Sequence, residues 1–153
     1  MANYLIIGAS SGIGKALALK LAENGHQVFG TFNKNETRSE NPLIKYNPFN
    51  VMDENVVLDF LPETISGIIY CPGSIHLRPF ERIKPADFEQ DYKLQVIGAI
   101  RLIQLVLPRL KKSENASIIL FSTVAVQTGL SFHAQVAASK GAIEGLTKAL
   151  AAE

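Results

Sequence analysis

Seven residues, Gly8-Ala9-Ser10-Ser11-Gly12-Ile13-Gly14, carry the first chemical signal in this chain. Glycines lack a Cβ, so backbone at this turn can come close to a bulky anion. A helix that opens directly behind them offers unpaired N–H groups and a partial positive charge, which suits a pyrophosphate. Tyr4-Leu5-Ile6-Ile7 in front reads as a short buried strand, and Ile13, Ala16, Leu17 and Leu21 behind recur at helical spacing until Gly25 stops the helix. Strand, glycine turn and helix in that order form the entrance of a dinucleotide-binding βαβ unit. The same string also serves as a tight turn that packs a first helix on a first strand.

The elements that must position this turn alternate along the chain. Strands are expected over 4–7, 27–32, 43–46, 67–71 and 116–122, and helices over 12–24, 53–60, 85–112 and 135–153. Residues 33–41 are polar and turn-rich, Pro72-Gly73 closes the fourth strand, and Pro85 stands where a first-turn helical proline belongs. Three of the strands are almost wholly apolar, which predicts a parallel sheet covered on both faces. Pro108 is expected to kink the long helix near its end.

At 153 residues the chain is expected to form a single domain, residues 1–153, with a sizeable core. Its 47% hydrophobic and 19% charged residues mark a globular protein. A net charge of +1 with no basic stripe argues against nucleic acid as a partner. The apolar runs are too short to cross a bilayer and the N-terminus leads straight into a strand, so neither a membrane nor a secretory signal is expected. The one cysteine, Cys71, cannot form an internal disulfide, which points to a reducing cytoplasm. No metal site is expected.

Two helices exceed a single apolar stripe. The long one carries Phe88, Tyr92, Val96, Ile97, Ile100, Ile103, Leu107 and Leu110, and the last one sets Ala137, Gly141, Gly145 and Ala149 at four-residue spacing. A helix apolar on two faces needs two partners. Homo-oligomerisation through these helices is one reading; cover by the chain itself is the other.

Three motifs in order, Gly8-Ala9-Ser10-Ser11-Gly12-Ile13-Gly14, Phe121-Ser122-Thr123-Val124-Ala125 and Ala137-Ala138-Ser139-Lys140-Gly141-Ala142, resemble the short-chain dehydrogenase/reductase family. The resemblance runs from residue 3 to 153. Members of that family run to about 250 residues, so the chain looks like the N-terminal portion of one. The resemblance implies a Rossmann-type doubly wound α/β fold with strand order 3-2-1-4-5, truncated after the fifth strand, and a ligand across the carboxyl ends of the strands.

It also implies site residues. Lys140 takes the place of the lysine that binds the nicotinamide ribose and lowers the pKa of a neighbouring tyrosine. Thr123, with Ser122 beside it, takes the hydroxyl position that meets the substrate oxygen, and Gln95 takes the place of an asparagine in a proton relay. The tyrosine position is Val136, and valine moves no proton. His133, three residues earlier, is one candidate replacement acid; a loop histidine facing solvent is its plainer reading. Tyr92 or Tyr70 reaching in from other elements is a further option. Tyr70-Cys71-Pro72-Gly73 stands where the family ends its fourth strand, and only Gly73 matches. Asn50 followed by Val51 replaces an aspartate that meets adenine.

Phe32, Asn33 and Lys34 stand at the end of the second strand, where a carboxylate would accept hydrogen bonds from a ribose 2′-hydroxyl and repel a 2′-phosphate. Without that carboxylate, and with Lys34 or Arg38 as cation, NADP(H) is favoured over NAD(H). The expected cofactor-binding set is Gly8, Ser10, Ser11, Gly12, Ile13, Gly14, Asn33, Lys34, Asn50, Val51, Gly73 and Lys140; the expected catalytic set is Thr123, Lys140, Gln95 and His133. The resemblance implies hydride transfer between NADP(H) and a small carbonyl or alcohol. The alternative is a dinucleotide-binding sensor or structural subunit without turnover.

Overall fold

The computed structural model describes residues 1–153. Five strands, β1 (Asn3–Ile7), β2 (Gln27–Phe32), β3 (Ile44–Pro48), β4 (Gly67–Tyr70) and β5 (Ser117–Leu120), form one sheet in the order β3-β2-β1-β4-β5. β1 pairs in parallel with β2 and β4, and β2 in parallel with β3. The expected Rossmann-type order is therefore present. Helices α1 (Gly12–Glu23), α2 (Pro85–Tyr92), α3 (Gly98–Leu110), α4 (Ala125–Thr128) and α5 (Ala134–Ala152) complete the chain. None is long and apolar enough to cross a membrane.

The residues gather into two compact units. One comprises Met1–Cys71 and Leu102–Ile119, the other Pro72–Arg101 and Leu120–Glu153. The first is built on the sheet. Leu5, Ile6, Ile7, Val28, Ile68 and Ile69 are buried along its central strands, as continuous apolar runs in a parallel sheet require. The second unit packs α2 and α5 together, with Val96, Val136 and Ile143 buried.

Four local expectations are corrected. No helix forms over 53–60; Asn50 closes a turn there instead, with Oδ1 accepting the Met52 N–H at 3.1 Å and Nδ2 donating to Asp53 Oδ1 at 2.9 Å. Such side-chain bonds compete with the helical ladder, and Val56 and Val57 add β-branched residues that resist it. Pro108 lies inside α3, which continues to Leu110, and the expected single helix over 85–112 is divided. The regular ladder is interrupted earlier, by a π-helical turn at Lys93–Ile97 that joins α2 to α3. β5 is not covered on both faces: it lies at the sheet edge, and Ile119 is 43% exposed. The last helix begins one residue early, at Ala134, and a short 3₁₀ turn at Phe80–Arg82 and helix α4 were not anticipated.

Candidate functional site

The glycine turn belongs to the first unit. Gly8 and Gly12 adopt left-handed backbone, with φ of 78° and 51°, which side-chain-bearing residues rarely hold. Gly14 serves packing: a Cβ built there would fall 2.2 Å from the Gly8 carbonyl oxygen. The turn thus both opens toward solvent and packs α1 closely. Ser11 caps α1 in extended conformation without a side-chain bond to the first-turn amides, and no acidic residue lies in that turn. These amides and the positive end of the helix form a natural seat for a phosphate.

Two residues outside the expected set hold the turn in place. Thr31, 1% exposed in β2, accepts the Gly8 N–H on Oγ1 at 3.1 Å, and its carbonyl accepts the Ala9 N–H at 2.9 Å. Tyr46 of β3 donates its phenolic hydrogen to the Ala9 carbonyl at 3.1 Å. Gly30, opposite Tyr46 in the ladder, makes this reach possible, because a Cβ there would lie 3.0 Å from the tyrosine ring. Burial raises the Tyr46 pKa above its usual 10.0. Neither residue belongs to a recognisable motif, so only the strand pairing reveals them.

At the end of β2, Lys34 is exposed and enters no salt bridge, whereas Arg38 is tied to Glu36 at 3.0 Å. Of the two candidate cations, Lys34 is the one without an ion-pair partner. Asn50 retains one N–H and one lone pair after closing its own turn, and Val51 beside it is buried.

The second unit brings Gly73, Gln95 and Lys140 together. A Cβ on Gly73 would lie 3.2 Å from Gln95 Oε1 and 3.8 Å from Lys140 Nζ, so both side chains crowd one face of this glycine. Behind Gln95 stands Asp91, only 3% exposed. Its Oδ1 accepts from Ser74 Oγ at 3.0 Å and Gln95 Nε2 at 2.8 Å; its Oδ2 accepts from Gln95 Nε2 at 2.8 Å and Ser139 Oγ at 2.6 Å. A buried carboxylate is costly unless its lone pairs are filled, and here three side chains fill them. Asp91 and Gln95 stand at i and i+4, a spacing that lets two helical side chains meet, and Ser139 joins them across α2 and α5.

The remaining expected residues are placed as follows. Thr123 is half-buried, and its Oγ1 accepts the Ala125 N–H at 3.3 Å, leaving its own hydrogen to donate elsewhere. Ser122 is committed to Glu144 Oε1 at 2.6 Å. Val136 is 7% exposed and brings no titratable group. His133 is the N-cap of α5, and its Nδ1 lies 2.7 Å from the Ser131 carbonyl. A carbonyl only accepts, so Nδ1 carries a hydrogen and the neutral ring leaves Nε2 without one. Tyr92 lines a groove with Phe88, Ile97 and Ala138.

Comparisons with known proteins agree with this fold. The family model described as short chain dehydrogenase matches residues 2–153. A 3-ketodihydrosphingosine reductase of Bacteroides thetaiotaomicron is 30% identical over 97% of this chain and 57% of its own length. A 3-oxoacyl-acyl-carrier-protein reductase FabG of Staphylococcus aureus is 26% identical over 99% of this chain and 68% of its own length. Among solved structures, a short chain dehydrogenase from Pseudomonas syringae superimposes with a TM-score of 0.84 at 26% identity, covering 98% of this chain and 68% of that one. The chain spans little more than half the length of the first curated relatives it matches, between 53% and 57%. With the family model matched over residues 2–153, the chain belongs to the short chain dehydrogenase family.

Proposed function

We propose that this chain binds NADP(H) and contributes to hydride transfer between that cofactor and a small carbonyl or alcohol. The observation that carries this reading is the turn from Gly8 to Gly14, whose left-handed glycines precede a helix with no side-chain cap. Gly8, Ser10, Ser11, Gly12, Ile13 and Gly14 would hold the diphosphate, Lys140 and Gly73 the nicotinamide ribose, and Asn50 and Val51 the adenine. Asn33 and Lys34 would meet the adenosine 2′ position; the absence of a carboxylate there and the exposed Lys34 ammonium favour NADP(H). When bound, the nicotinamide supplies or accepts the hydride. Thr123 would donate its hydroxyl hydrogen to the carbonyl oxygen. A single cysteine suits a reducing compartment, and the cytoplasm is the proposed location.

One observation favours a second reading, a dinucleotide-binding protein without turnover. Reduction of a carbonyl consumes a proton as well as a hydride, and Val136 brings none. His133 uses its Nδ1 hydrogen on the Ser131 carbonyl, and Nε2 has a proton to give only as imidazolium.

Fluorescence titration with NADPH and NADH tests the binding common to both readings, and consumption of NADPH with a carbonyl panel separates them. Tighter NADH than NADPH binding overturns the cofactor preference. Binding without consumption selects the second reading.

The partner proposed for the groove on α2, the π turn and α5 is a second copy of this chain. That groove holds about 500 Å³, and Tyr92 and Ile97 remain 41% and 37% exposed beside it. Sedimentation equilibrium of Ile97→Glu against wild type tests this; a monomeric wild type overturns it.

A further inference from the structure

We propose that Asp91 is a positioning residue, which fixes the Gln95 amide so that its oxygen, and not its NH2 group, faces Lys140. An ionised carboxylate only accepts hydrogen bonds, so the Gln95 nitrogen must turn toward it. The geometry agrees, with Nε2 at 2.8 Å from both carboxylate oxygens and 3.4 Å from the Ser74 carbonyl. The amide oxygen is thereby pushed to the opposite side. There Oε1 is buried without a hydrogen-bond partner, on a residue 1% exposed, facing the Gly73 backbone that Lys140 Nζ also faces.

An orphaned buried acceptor and an ammonium that both approach Gly73 specify together what group fits there. A carbonyl or phosphate oxygen can accept from the lysine but leaves Oε1 without a donor. A hydroxyl accepts from the ammonium and donates to Oε1 at once. The cluster therefore selects a hydroxyl group next to Gly73. Were the amide reversed, the NH2 group would face the ammonium as a second donor, and the preference would be lost. Ser74 and Ser139 lock the clamp from the loop after β4 and from α5, so three separate segments fix one amide orientation.

This inference rests on the reading that Lys140 holds the nicotinamide ribose, whose hydroxyls are the donors at hand; a water molecule shares the same chemistry. Two measurements on the ¹⁵N-labelled chain test it. First, the Gln95 side-chain NH2 signals, assigned by their loss in Gln95→Met, should exchange with solvent about a hundredfold more slowly than those of exposed Gln127, and this protection should vanish in Asp91→Val. Asp91→Asn, whose Oδ1 still accepts, should keep part of it; this variant retains partners for Ser74 and Ser139 if the valine variant does not fold. Second, wild type should bind NADPH about tenfold more tightly than an analogue lacking the 2′- and 3′-hydroxyls on the nicotinamide ribose, and Asp91→Val should bind the two alike. An unprotected Gln95 amide in wild type, or one unchanged in Asp91→Val, overturns the clamp while leaving cofactor binding intact. Equal wild-type affinity for the two dinucleotides overturns ribose as the source of the hydroxyl and, if crystals of the complex show no water on Oε1, overturns the hydroxyl subsite. Failure of wild type to bind NADPH removes the cofactor reading itself, and the subsite with it.

Discussion

The Gly8 N–H donates to Thr31 Oγ1 at 3.1 Å, which hangs the first residue of the glycine turn on a hydroxyl buried in the adjacent strand. β2 thereby sets the position of the proposed phosphate seat, although Thr31 itself is buried. Thr31→Val keeps shape and burial but leaves that N–H without its partner. The cost should be about 1–3 kcal/mol in urea unfolding, with weaker NADPH binding, whereas Thr31→Ser should restore most of both. Unchanged stability and affinity in the valine variant would show that the bond contributes nothing.

Gly14 and Gly12 should respond to alanine for different reasons. A Cβ at Gly14 meets the Gly8 carbonyl oxygen at 2.2 Å, so helix and turn must separate. Gly14→Ala should lose about 1–3 kcal/mol of stability together with dinucleotide binding. At Gly12 nothing lies within 4 Å of the added carbon, and only the φ of 51° resists it. Gly12→Ala should therefore cost about 1–2 kcal/mol through backbone strain alone. Thermal unfolding with and without NADPH separates the two: a smaller loss of ligand-induced stabilisation in Gly14→Ala than in Gly12→Ala contradicts this assignment.

Tyr46 gives the fold an alkaline limit. Burial raises its pKa above 10.0, so the folded chain holds the phenolic proton more tightly than the unfolded chain does. Its contribution is fully present below pH about 10, the unfolded value, and is lost as pH rises through the higher folded value. Ionisation also removes the hydrogen that Tyr46 donates to the Ala9 carbonyl. Urea midpoints measured at increasing alkaline pH should fall more steeply for wild type than for Tyr46→Phe. Parallel curves exclude Tyr46 as the source.

The fold and the glycine turn, the proposed anion seat, were legible because both are written in local pattern. Apolar runs marked β1 and β4, and the Gly8–Gly14 string named its own turn. The supports of that seat were not legible, since Thr31 and Tyr46 act through strand pairing and Gly30 acts by having no side chain. The helix expected over 53–60 failed because an asparagine side chain closed a turn that the apolar pattern did not record. Gln95 was placed in the site by resemblance. What orients it, Asp91 together with Ser139 from 48 residues downstream, emerges only when α2 and α5 pack.

Charge at the end of β2 should set the choice of dinucleotide. Lys34 carries no salt bridge, so its ammonium is available to a 2′-phosphate. Lys34→Glu replaces attraction with repulsion and supplies the carboxylate that a 2′-hydroxyl prefers. NADPH affinity should fall about tenfold or more while NADH affinity holds or improves, and added salt should shrink the difference. Equal losses for both dinucleotides would place Lys34 elsewhere on the ligand.

Val136 is the test of catalytic competence. It stands four residues before Lys140 on α5, so the two positions share a helix face. A phenol at 136 would lie beside an ammonium, which favours the phenolate and readies the hydroxyl for proton exchange near neutral pH. Val136→Tyr should raise carbonyl-dependent NADPH consumption by about a hundredfold or more over wild type, with a pH profile that reports one ionising acid. Val136 is only 7% exposed, so the larger ring will disturb packing in any case; Val136→Phe carries the same bulk without the hydroxyl. A gain in the tyrosine variant absent from the phenylalanine variant assigns it to the proton donor. If both variants bind NADPH and neither consumes it, the missing acid is not what keeps the chain silent, and the non-catalytic binder becomes the better description.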